Sequence, residues 1–176
     1  MSLVFFNKDF AMTATTHPAV HTLGHEGTLL QKLLSTGNDR VATFLRLVLG
    51  IVIFPHGAQK ALGLFGGYGF SGTMGAFTQQ MHIPAVFAFL AIAAEFAGSL
   101  GLISGLLTRV AAFGIFVNML VATLLVHLPN GFFMNWYGNQ KGEGFEYHLL
   151  VMGIAVALMI RGGGAASVDR ALSPEK

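Results

Sequence analysis

Four apolar stretches follow one another along the chain, at about residues 41–64, 84–107, 109–128 and 145–160. A helix that crosses the ~30 Å hydrocarbon layer needs ~20 mostly apolar residues, so the pattern predicts four transmembrane helices. Their ends carry the expected punctuation. Asn38 or Asp39 is placed to cap the first helix, and Gly63, Gly66 and Gly67 end it. Pro55, which removes one backbone donor, is expected to kink that helix just before His56. Pro84 suits the first turn of the second helix, and its Gly101 and Gly105 form a small-xxx-small face for close helix approach. Thr108 is expected to cap the third helix, which stops at Pro129; Arg161 and the run Gly162, Gly163, Gly164 end the fourth. Short links make sequential helices antiparallel neighbours. The predicted architecture is all-α: an integral membrane four-helix bundle over residues 41–172, preceded by a polar arm at 1–40 and followed by a tail at 173–176.

Composition narrows the class further. Only 10% of residues are charged and 53% are hydrophobic, with a mean hydropathy of +0.64, far from the quarter charged of a soluble domain. No cysteine is present, which excludes dithiol chemistry, iron–sulfur clusters and thiolate zinc sites within this chain. Lys32, Arg40, Arg109, Arg161, Arg170 and Lys176 would share one side of the membrane, against Lys141 on the other. By the positive-inside tendency both termini are cytoplasmic and the two long loops, 65–83 and 129–144, face outward, with Trp136 and Tyr137 at interfacial depth. In the arm, the apolar run at residues 3–6 is too short for a secretory signal, and Leu29, Leu30, Leu33 and Leu34 beside Lys32 suit a helix lying on the membrane surface.

The candidate chemistry is a layer of ionisable groups inside these spans. His56 and Lys60 lie on the first, Glu95 on the second, His127 on the third, and Glu146 with His148 at the start of the fourth. At ~1.5 Å per residue, His56 is ~22 Å and His127 ~26 Å from the inner ends of their helices, and Glu95 is ~16 Å from the outer end of its own. The layer is therefore displaced toward the outer leaflet. His56 and Lys60, four residues apart, share a helix face. Such groups are costly in hydrocarbon and are retained where they face one another around a site. Ordinary alternatives exist for most: Lys60 snorkelling to the interface, His127, His148 and Glu146 as helix-end polar residues, Asn118 as interhelical hydrogen-bonding glue or a ligand contact. Arg46 is expected to snorkel, or to pair with Asp39 or a lipid phosphate. Glu95 resists an ordinary reading, since a carboxylate so deep must be protonated or paired.

Two further patterns carry less. Residues 67–72 read G-x-G-x-x-G, but no strand precedes them and no acidic residue follows at the required distance. His17, His21 and His25 are spaced four apart, yet Pro18 and Gly24 argue against the helix that would align them on a metal.

From Arg46 to Leu172 the chain resembles the DoxX family of small four-span bacterial inner-membrane proteins. The resemblance rests on Arg46 and Gly50 leading into His56-Gly57 and Lys60, and on Glu95 followed by Gly98 and then Gly105-Leu106-Leu107-Thr108-Arg109. It continues through His127, Glu146, and Gly162-Gly163-Gly164 followed by Ser167 and Asp169. Gly163 stands where relatives often have proline. The resemblance implies a bundle in the bacterial inner membrane and a link to quinone, thiosulfate or membrane redox metabolism. Joined to the polar layer, it gives the leading expectation: a quinone or similar lipid-soluble molecule docks at the outer layer. There His56 and His127 donate hydrogen bonds to its oxygens, with His148 and Asn118 among the binding residues. Glu95 and Glu146 relay protons, and Lys60 stabilises the anionic reduced form. Electrons would come from a soluble substrate or a redox partner subunit. The alternative expectation is a non-catalytic accessory subunit or assembly factor of a membrane respiratory complex, or a homo-oligomer. Haem held by two of His56, His127 and His148 is a weaker fit, no metal site is expected, and nothing points to nucleic acid.

Overall fold

The structure, a computed structural model, describes residues 28–173; the histidines at 17, 21 and 25, and Lys176, lie outside the described residues. Helix α1 (Leu29–Leu34) opens with a capping box, in which Thr28 Oγ1 accepts from Gln31 N and Gln31 Oε1 from Thr28 N. Asp39 caps α2 (Arg40–Leu62), its Oδ1 accepting from Val41 N at 2.9 Å and Ala42 N at 3.0 Å. Pro55 lies inside α2, which is continuous to Leu62 and capped by Gly63. The predicted outer loop is itself largely helical. It contains a 3-10 turn (Leu64–Gly66), α3 (Gly69–Gly75) and a π turn (Ala76–Gln80). Then come α4 (Ala85–Ser104) and α5 (Thr108–Ala122), the latter continuing through a wide π turn (Thr123–His127) into a 3-10 turn (Leu128–Asn130). After the second long loop, α6 (Glu146–Arg161) is followed by the short α7 (Val168–Leu172).

Helices α2, α4, α5 and α6 form the four-helix membrane bundle: α2 packs on α4 and α6, and α5 on the same two. The α2, α4 and α5 segments are long and apolar enough to cross a membrane. Helix α6 has 16 residues, or ~24 Å at the usual rise. Leu49, Ile53, Leu102, Ile115, Val151 and Leu158 are buried at the centre, while Phe44, Ile51, Phe87, Leu125, Leu150 and Ile160 are each more than half exposed on the outside. Large apolar side chains on both faces are what lipid as solvent requires. Helices α2 and α4 approach closely, and glycine permits it. A Cβ on Gly57 would lie 2.6 Å from Phe96 Cα and N, and one on Gly50 would lie 2.9 Å from Ile103 Cγ1. The predicted Gly101/Gly105 face is not that contact. Gly101 borders Leu106 O and Ala111 Cβ, toward α5, and Gly105 is the left-handed cap of α4, with φ 71°.

At the end that carries both described termini, buried polar side chains are spent on backbone. Arg46 does not snorkel: it is 2% exposed. Its Nε donates to Gly163 O at 2.8 Å and its Nη1 to Leu102 O at 2.8 Å and Ile103 O at 2.7 Å, with Nη2 on Ala166 O. One guanidinium thus satisfies orphan carbonyls at the end of α4 and in the chain that follows α6. Arg109 does the same for Met159, Ile160 and Ser35. Thr108 begins α5 but does not cap it. The cap is Asp169, 1% exposed, which accepts from Leu107 N at 2.6 Å and Thr108 N at 2.8 Å. A carboxylate suits the positive end of a helix, and α7 brings it there from the far end of the chain.

Candidate functional site

The opposite end of the bundle, where the long loops lie, gathers the remaining ionisable residues. Because Gly57 lets α2 press on α4, Lys60, one turn further along α2, reaches Glu95: Nζ to Oε2 is 2.6 Å. Asn118 of α5 donates its amide to the other carboxylate oxygen, Oε1, at 2.8 Å. Glu95 is thus held from two neighbouring helices, with a side chain 6% exposed against 27% for Lys60. The exposed part of Lys60 opens on a cleft of about 230 Å³, lined also by Gln59, Gly67, Tyr68 and Thr73. A larger groove of about 850 Å³ lies at the other end of the bundle, away from Glu95.

A second group forms around the first turn of α6. The His127 and His148 rings lie 4.0 Å apart between centroids, Tyr147 and His148 5.6 Å, and His56 and Tyr147 6.5 Å. The π turn that ends α5 delivers His127 to this position, as wide turns do at functional sites. His127 Nδ1 is 2.8 Å from Glu143 O. A carbonyl only accepts, so Nδ1 carries a hydrogen, and in the neutral ring Nε2 is left as an acceptor. Tyr147 is near enough to Glu95 to feel its charge, and His148 to His56 and His127, which ties the two groups into one region. Within it, Tyr147 Oη and His148 Nδ1 are buried with no hydrogen-bond partner. Buried groups of this kind are uncommon and call for an explanation.

The expected residues separate as follows. Lys60 and Glu95 are in direct contact, joined by Asn118 as a partner of the carboxylate. His127 and His148 lie ring against ring, tilted by 39°. His56 sits at the edge of the Tyr147 ring and is exposed; although four residues from Lys60, it meets α6 whereas Lys60 meets α4. Glu146 turns away, its Oε1 accepting from Met134 N at 3.0 Å and Trp136 Nε1 at 3.2 Å. It anchors the second loop, as does Glu143, whose Oε2 accepts from Asn135 N. Two residues of the region escape a reading of the sequence. Tyr147 looks like an interfacial aromatic, its one signal being its place between Glu146 and His148. Glu143 acts on His127 through its backbone, which no side-chain pattern records.

Comparison with known proteins adds an independent line. The DoxX family model matches residues 41–128, which include Lys60, Glu95, Asn118 and His127. The chain is also 31% identical over 114 residues to a Bacillus subtilis (strain 168) protein named "Putative oxidoreductase CatD", an alignment covering 65% of this chain and 75% of the relative. No solved structure matches.

Proposed function

Since the chain belongs to the DoxX family, with a relative named as an oxidoreductase, we propose that it is a redox protein that binds a quinone, or a similar lipid-soluble carbonyl compound, at the loop end of the bundle. The observation that carries this reading is the pair of buried, partnerless atoms Tyr147 Oη and His148 Nδ1 beside the ion pair of Lys60 and Glu95. An O–H and an imidazole N–H are the donors a quinone carbonyl needs, and a ligand there would satisfy them. The residues present therefore fit the group. A bound quinone supplies two-electron acceptor chemistry; the chain supplies donors and protons.

In this reading Tyr147 and His148 orient the ring, with His56 and His127 closing the site around it. Lys60 is the group that meets water, through its cleft, and Glu95 is its buried partner. Lys60 Nζ gives a proton to Glu95 Oε2 across 2.6 Å and is reprotonated from the cleft, and Tyr147, whose ring lies near those of His56 and His148, is within range of that carboxylate's charge. Asn118 fixes the other oxygen, so that the carboxylate cannot rotate away. Electrons come from a soluble donor or a partner subunit. We place the protein in a bacterial inner membrane with its termini in the cytoplasm, because Arg40, Arg109, Arg161 and Arg170 gather at that end. Haem is not part of the proposal: ring centroids 4.0 Å apart leave no space for a porphyrin iron between His127 and His148.

The test uses purified protein, a quinone-binding assay and a quinone-reduction assay. Replacing Glu95 by Gln keeps shape and removes acid–base capacity, so turnover falls by roughly 100-fold. Replacing His56 by Ala weakens affinity by about 10-fold, the worth of one hydrogen-bonding group. Unchanged turnover and affinity in both variants would reject the proposal. A second reading, an accessory subunit or assembly factor, draws on the closure of the Lys60, Glu95 and Asn118 triad, which ties three helices together by itself. Native purification separates the two: a stoichiometric respiratory partner favours the second, a quinone in a lone oligomer the first.

A further inference from the structure

The groove of about 850 Å³ at the terminal end belongs to neither network described above. It follows the seam where α2 begins and α6 ends. Arg40 and Arg161, the first residue of one spanning helix and the last of the other, stand at its mouth. Its walls are Val41, Leu45 and Ala157, and its floor is Ala42 and Leu158, both buried. Arg40 is exposed and has no hydrogen-bond or ion-pair partner among the described residues. Arg161 faces Asp39 Oδ2 at 3.4 Å, yet its side chain remains 70% exposed. Asp39 is the one acidic residue in the lining, and its other oxygen is taken by the α2 cap. Two cations therefore face one half-committed carboxylate. Arg170 adds a third cation at the rim through its bond to Asn38.

We infer that this seam is a binding site for an anionic phospholipid, with its phosphate between Arg40 and Arg161 and an acyl chain along Val41, Leu45 and Ala157. The vertical order of the groove is that of the lipid: charge at the level of the helix ends, then apolar wall toward the bilayer centre. A soluble anion would leave the apolar wall uncovered, and a neutral lipid would leave the arginines unmatched. Helix α6 reinforces the choice. At ~24 Å it is shorter than the ~30 Å hydrocarbon layer, and a headgroup drawn down to Arg161 would relieve that mismatch at this end.

The test reconstitutes the full chain in phosphatidylcholine nanodiscs containing a minor fraction of phosphatidylglycerol. The lipid retained after detergent washing is then quantified by mass spectrometry. The wild-type protein is expected to retain phosphatidylglycerol well above its share of the bilayer. The exposed double variant Arg40→Gln/Arg161→Gln is expected to lose about 10-fold of that preference, each basic residue near a bilayer contributing several-fold. Replacing Ala157 by Phe fills the seam while keeping both charges and is expected to release the lipid as well. On the wild-type protein, high salt is expected to weaken the preference, since a charge pair at the interface is screened. This last measurement stands even where a variant folds poorly. Retention that mirrors the bulk bilayer, or a preference untouched by the double variant and by salt, overturns the inference. Quinone assays do not enter it, so it stands or falls apart from the redox proposal.

Discussion

Arg46 and Glu95 are both ionisable, both almost fully buried and both set between helices, but they are held in different ways. Arg46 is bonded to four backbone carbonyls; Glu95 is bonded to two side chains. Backbone acceptors move only if helices move, so the terminal end is rigid and its charge cannot be reassigned. Side-chain partners rotate and exchange protons, and one of them, Lys60, reaches a cleft. Partnerless atoms occur at both ends, but with different surroundings. At the terminal end Arg109 Nε is orphaned on a guanidinium whose other nitrogens are bonded, and Thr108 Oγ1 lies where a Cβ on Gly163 would come within 2.8 Å of it. At the loop end Tyr147 Oη and His148 Nδ1 belong to side chains with no hydrogen bond at all among the described residues. The contrast distinguishes polar burial that is bonded to the fold from polar burial that leaves donors open.

The strongest way to break this contrast is at Arg46. Replacement by Ala takes the donor from four carbonyls, of which Gly163 O and Leu102 O are in buried bonds, and costs about 3–5 kcal/mol. Lysine does not rescue it, because a compact ammonium has three donors and lacks the planar fork. The expected outcome is a large fall in the thermal midpoint in detergent, or no accumulation in the membrane. A variant that melts like wild type while losing redox activity would reverse the assignment of the two ends.

Gly57 tests how the loop end depends on the fold beneath it. In the Ala variant the new methyl meets backbone atoms of Phe96 and Glu95 at 2.6–2.7 Å, and backbone cannot swing aside, so α2 and α4 must separate. We expect about 2 kcal/mol of lost stability, together with a weakened contact between Lys60 and Glu95 and a corresponding loss of quinone affinity. Gly153 on α6, with nothing within 4 Å of its added Cβ, is the control. There alanine is neutral or stabilising by up to ~1 kcal/mol. Equal melting curves for the two glycine variants would show that the α2–α4 approach does not set the site.

Legibility in the sequence follows the same division. Span length and hydropathy are local quantities, so the four helices appear within a few residues of their predicted limits. That Glu95 must have a partner is also local, since a carboxylate so far into an apolar span is costly alone. Identifying the partner is not local: Lys60 and Asn118 are 35 and 23 residues away and meet it only because of Gly57 and the packing order. The terminal end is hidden from the sequence for that reason. Arg46 bonds carbonyls as far off as Ala166, and backbone acceptors leave no trace in residue types. Thr108 looked like a cap until Asp169, from beyond α6, took that place. Glu146 looked like a member of the polar layer because depth alone does not tell which way a first-turn side chain points.

The smallest expected effect has an informative sign. Tyr147→Phe removes only a hydroxyl that is buried without a partner. Deleting a bonded hydroxyl destabilises, whereas deleting an unbonded buried one removes a desolvation penalty, so the ligand-free protein should be unchanged or more stable by up to ~1 kcal/mol. Quinone affinity should move the other way, falling by roughly 10-fold as one donor to the carbonyl is lost. Measuring the melting midpoint with and without quinone gives both numbers: the variant should melt at or above wild type without ligand and gain less from its addition. If Tyr147→Phe is destabilised without ligand, the hydroxyl has a protein or water partner of its own. The loop end would then be a satisfied network like the terminal end, with no open donor left there for a ligand.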